Sequence, residues 1–84
     1  MFKIQSIIFD KEKNNIEECI SFILDNNFKI NKIDETAHYY RFRQISPKIL
    51  KKEGFTHYRT KLINDKKNIY YIIAYKDDII NDYI

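Results

Sequence analysis

The sequence predicts an α+β fold: one domain over residues 1–84, ordered β-α-β-β-β-β, with a mostly antiparallel sheet and one helix on one face. Three observations carry this. A single stretch, about residues 15–27, has apolar residues at helical period. The apolar residues after it run at period two, in segments separated by short polar turns. Eighty-four residues hold one hydrophobic core and little more.

Taken in order, IQSIIF at 4–9 is a first strand rich in β-branched residues, closed by the charged turn DKEKNN. Ile16, Cys19, Ile20, Ile23 and Leu24 then form an apolar stripe at i, i+3, i+4, i+7 and i+8. Asn14 or Asn15 caps its start, and Glu17 and Glu18 suit the positive end of the helix dipole. Asn26-Asn27 ends it, since asparagine tolerates the left-handed conformation of a C-terminal cap, and Phe28 folds back beyond.

From residue 28 the period becomes two, with a bulge or turn near Asn31 and a turn over residues 34–36. Residues 37–45 form a strong strand. SPKILKKEGF is punctuation, either a short helix opened by Ser46-Pro47 and closed by Gly54 or an ordered loop. FTHYRTKLI at 55–63 and IYYIIAYK at 69–76 are the last strands, joined by the polar turn NDKKN. The tail DDIINDYI carries no single signal; one helical turn docking Ile79, Ile80 and Tyr83 is one reading of it.

Strand alternation sorts the polar residues. Burying Tyr40, Phe42, Tyr58 and Leu62 beneath the helix places Arg41, Arg43, Arg59 and Lys61 on the opposite face, with Tyr39 and His57 beside them if the two strands form a hairpin. Cations for phosphate and rings for bases are the ingredients of nucleic-acid binding on a sheet. The competing interpretation is an ordinary solvated strand face. All three arginines of this lysine-rich chain lie in these two strands, and arginine's planar fork suits phosphate or carboxylate.

Charge supports a one-sided footprint. Residues 41–67 hold nine basic and two acidic side chains, within a total net charge of +3. Ile, Lys and Asn make up 37 of the 84 residues, all with AT-rich codons, which weakens any inference from bulk basicity.

Enzyme chemistry finds little to use, and the expectation is a non-enzymatic protein without cofactor or metal. His38 and His57 lack the Ser or Thr two positions on that two-histidine phosphoesterases place there; Tyr40 and Arg59 stand instead. Cys19 lies in the apolar stripe as a small core residue. No Cys/His cluster has metal-ligand spacing, and one glycine cannot build a phosphate loop. A single cysteine forms no internal disulfide, which suggests an intracellular setting, host cytoplasm or virion once the resemblance below is added. No apolar run approaches the roughly 18 residues of a membrane span.

QSIIFDKEK at 5–13, NNFK at 26–29, DETAHYYRFRQ at 34–44 and YRTKLI at 58–63 resemble, in order, segments of a small uncharacterised family of large DNA viruses and bacteriophages. Members often carry glycine where Asn27 stands. In phages, similar segments sometimes accompany head-maturation proteins, which implies a virion or assembly role.

These readings give a viral binding module contacting nucleic acid or another polyanion through Tyr39, Arg41, Arg43, His57, Arg59 and Lys61. The alternatives are a protein-interaction module, whose partner is a virion component, a host factor or a second copy paired through a strand edge, and a binder of small phosphate ligands.

Overall fold

The computed structural model describes residues 1–76. The elements run β1 (Phe2–Asp10), α1 (Ile16–Asp25), β2 (Lys32–Glu35), β3 (Tyr39–Arg43), α2 (Pro47–Lys52), β4 (His57–Asn64) and β5 (Ile69–Tyr75). The expected α+β class and strand-helix order hold, and SPKILKK is a helix. The tail reading falls on residues 77–84, outside the described residues.

The five strands of the described residues form one antiparallel sheet in the order β2-β3-β1-β5-β4. β1 is central. On one side Ile7 and Phe9 stand opposite Phe42 and Tyr40; on the other they stand opposite Tyr71 and Ile69. These six residues share a face, and α1 packs on it through Cys19 and Ile23, both fully buried. Phe9 makes edge-to-face contacts with Phe22 of α1 at 5.5 Å and with Phe42 at 5.4 Å. The helix stripe is rotated from the sequence expectation: Leu24 is 58% exposed, and Phe22 packs in its place. Phe22 lies on the other flank of the stripe, and its longer ring reaches Phe9.

Local chemistry fixes both ends of α1. Asn15 is the N-cap: its side-chain oxygen accepts from the Glu18 amide at 2.8 Å, and Glu18 accepts from the Asn15 amide at 3.2 Å, a complete capping box. Asn14 is buried and does different work, donating to the carbonyls of Asp10 at 3.0 Å and Lys67 at 2.7 Å. At the C-terminus Asn27 adopts φ 61°, Phe28 donates its amide to Ile23, and Asn27 donates to Leu24, the paired bonds of a Schellman cap. α2 ends in the same way, with Gly54 at φ 91° and the Phe55 amide on the Leu50 carbonyl.

The strand alternation expected from residue 28 is absent before Lys32. The cap redirects the chain, and Gln44 ties it down from the side: its Oε1 accepts from the Lys29 amide and its Nε2 donates to the Lys29 carbonyl, both at 2.8 Å. One side chain substitutes for a stretch of strand pairing.

Among the described residues the second face of the sheet is only partly covered. α2 packs against one corner, where Leu50 and Phe55 bury Ala74. Lys3 and Lys76 lie over the Phe55 ring, and Lys3 also pairs with Glu53 at 2.9 Å.

Candidate functional site

The six residues singled out in the sequence do not form one site. β3 and β4 are no hairpin: β1 and β5 stand between them, separating their axes by about 14 Å at normal strand spacing. They also divide by face. Arg41 and Arg43 oppose Ile8 and Ser6, on the side away from α1. Arg59 and Lys61 oppose Ile73 and Tyr71, on the α1 side, and His57 stacks on Tyr75 with ring centres 5.3 Å apart. Tyr58 and Leu62, expected under the helix, lie on the open face and are 45% and 48% exposed. At the sheet edge, β4 extends past the reach of α1, so no core decides which of its faces is apolar.

His38 and His57 are likewise remote. The His38 carbonyl accepts from Lys11 beyond the C-terminal end of β1, whereas His57 aligns through Tyr75 with Phe2 at its beginning. Cys19 is fully buried, and desolvation chiefly raises its thiol to about 11, against a nucleophilic role. Among the described residues no group of three His, Cys, Asp or Glu side chains could hold a metal. No described helix is long and apolar enough to cross a membrane.

The structure does bring Tyr39, Arg41 and Arg43 together on the open face. Tyr39, Arg41, Ile8, Tyr70, Ile72 and Thr60 line a groove of about 360 Å³ running across the strands. Its floor is mainly apolar and aromatic.

Arg41 is held there by residues with no obvious sequence signature. Its Nε donates to Ser6 Oγ at 3.1 Å and its Nη2 to Gln5 Oε1 at 2.9 Å; Ser6 Oγ also donates to Gln5 at 2.5 Å. Gln5 and Ser6 are buried, and Gln5 further donates to the Ile45 carbonyl at 3.2 Å. They occupy a β-bulge, where the pairing with β5 jumps from Ile4–Ile73 to Ser6–Ile72. The bulge lets Ile4 and Ile7, three apart, both face α1. Adjacent polar residues within an apolar strand are its one trace in the sequence. Among the described residues Nη1 of Arg41 takes no part in the network.

Arg43 is less available. It pairs with Asp34 at 3.4 Å, and its Nε is buried without a partner among the described residues. The cations of β4 form no ion pair among the described residues, but they belong to another surface.

The fold and this site define a five-stranded antiparallel sheet with one face closed by a helix and the other presenting an aromatic groove around a braced arginine. Comparison with protein-family models, curated proteins and solved structures finds no match to this chain.

Proposed function

We propose that this chain is a non-enzymatic interaction module that engages a protein partner through its open sheet face. The observation that carries this reading is the composition of that face. Ile8, Tyr70 and Ile72 form an apolar floor, Tyr39, Tyr58 and Leu62 stand exposed around it, and among the described residues α2 covers only the Ala74 corner. Burying such a surface gains about 25 cal/mol per Å² of apolar area. Aromatic residues with a well-held arginine are also the usual composition of an interface core. Arg41 would meet a partner's carboxylate or carbonyl from a position already fixed by Ser6 and Gln5. The resemblance to the phage and large-virus family supports a virion, assembly or host-factor partner.

A second reading, single-stranded nucleic acid on the same face, draws on Tyr39 and Tyr70 as stacking rings beside Arg41. It lacks the four-cation cluster that the sequence suggests. One experiment separates the two: nuclease-treated affinity capture from host cells with identification of the bound protein, alongside anisotropy titration of single-stranded oligonucleotides at low salt. Tyr39→Glu and Leu62→Glu, both at exposed positions, are expected to abolish capture of a defined protein that Arg59→Glu still captures. Oligonucleotide binding that Tyr39→Ala removes, without nuclease-resistant capture, would establish the second reading instead. Neither activity would refute both.

A further inference from the structure

The outer edge of β4 borders the open face and adds backbone groups and cations that the open face lacks. β4 spans eight residues, contains neither Pro nor Gly, and pairs only with β5 among the described residues. Every residue after His57 is exposed. An edge of this length, left unpaired by the described residues, presents alternate backbone N–H and C=O groups to an extended chain. Its side chains are sorted by face. Tyr58, Thr60 and Leu62 lie on the open side, and Arg59 and Lys61 on the α1 side. The two cations flank a groove of about 660 Å³ whose wall includes Phe2, Ile73 and Tyr75.

Self-pairing is disfavoured by these charges. An antiparallel two-fold pairing centred on Thr60 sets Arg59 opposite Lys61 of the second copy, and one centred on Lys61 sets that residue opposite itself; like charges directly opposite are destabilising. The other sheet edge, β2, is only four residues long, and its acids Asp34 and Glu35 are already paired with Arg43 and Lys11. The pairing jump between Leu62 and Asn64 marks where the regular part of β4 ends.

We infer that β4 is a strand acceptor for an extended acidic segment of another protein, added edge-on with carboxylates at alternate positions facing Arg59 and Lys61 and apolar side chains facing Tyr58 and Leu62. Backbone hydrogen bonds would supply affinity, and the two faces specificity. This surface shares Tyr58, Thr60 and Leu62 with the open face but is set apart by its backbone edge and by Arg59 and Lys61, so its failure would leave the proposed function standing.

The test uses the full chain and a fluorescein-labelled peptide of alternating Glu and Val, read by anisotropy at low salt. Two companion peptides serve as comparisons, one with Lys replacing Glu and one N-methylated at alternate residues along one edge. The acidic peptide is expected to bind, the Lys peptide not to bind, and N-methylation to weaken binding about tenfold or more, because it removes donors while keeping every charge. Arg59→Glu with Lys61→Glu should produce a loss of at least similar size, whereas Tyr39→Glu should leave binding unchanged. The inference is overturned if no binding of the acidic peptide is seen, if the N-methylated peptide binds equally, or if charge reversal has no effect. The N-methylated peptide probes the strand edge without any change to the protein.

Discussion

Phe9 is one of the side chains at which the helix and the sheet meet, and shortening it tests the packing directly. It is fully buried, with one ring contact to α1 through Phe22 and one to β3 through Phe42. Phe9→Ala would cost about 3–5 kcal/mol, against roughly 4–13 kcal/mol of total stability for 84 residues. It would leave a marginal protein. Phe9→Leu keeps most of the volume and should cost about 1–2 kcal/mol. With a urea dependence of about 1 kcal/mol per molar, that moves the unfolding midpoint down by roughly 1–2 M. The chain has no tryptophan and seven tyrosines, so tyrosine fluorescence and far-ultraviolet circular dichroism are the probes. A double-mutant cycle with Phe22→Leu should show a coupling of about 0.5–1.5 kcal/mol, the usual worth of an aromatic pair. Phe55→Leu, in the separate cluster beneath α2, should add to Phe9→Leu within about 0.5 kcal/mol. A Phe9→Leu cost near zero, or no coupling to Phe22, would refute this account of the core.

Acid should destabilise the fold partly through Glu18, whose carboxyl is held below its ordinary 4.5, first by the Asn15 amide and then by Lys67. A folded-state value below the unfolded one gives stability that is complete above about 4.5 and lost as pH falls through the folded value; Glu18→Gln should flatten that part of the urea-midpoint curve. Asp10, lowered from 3.8 chiefly by the Asn68 amide, adds a loss of the same sign at lower pH. Gly54→Ala meets no side chain closer than Lys76 Cε at 3.8 Å, so its expected cost of about 1–2 kcal/mol comes from the positive φ alone. Asn27→Gly, by contrast, should be neutral or stabilising in the same urea assay, and Asn27→Ala should cost about 1 kcal/mol.

What can be read from the sequence follows how local each determinant is. The capping asparagines and Glu18 act within a few residues, and α1 appears where the pattern places it. The alternation within HYYRFRQ is equally local: Tyr40 and Phe42 do enter the core, and Tyr39, Arg41 and Arg43 do share the other face. Relating β3 to β4 requires the strand order, which depends on pairings dozens of residues apart. The expected parity of β4 rests on assigning Tyr58 and Leu62 to the core, an inference that fails on an edge strand outside the helix footprint. Gln5 and Ser6 escape notice as the brace of Arg41 because a bulge becomes visible only when both neighbouring strands are known.

The central place of β1 sets an order of events during synthesis. Phe2 pairs with Tyr75 and Ser6 with Arg43, so β1 emerges from the ribosome long before either of its neighbours exists. The capped helix can begin forming early, but the sheet cannot close until β5 has been translated. Folding is therefore governed by contacts distant in sequence, a topology associated with slower rates. Until then IQSIIF lacks its β5 partner and keeps one edge open, which makes it the segment for which a nascent-chain chaperone would compete.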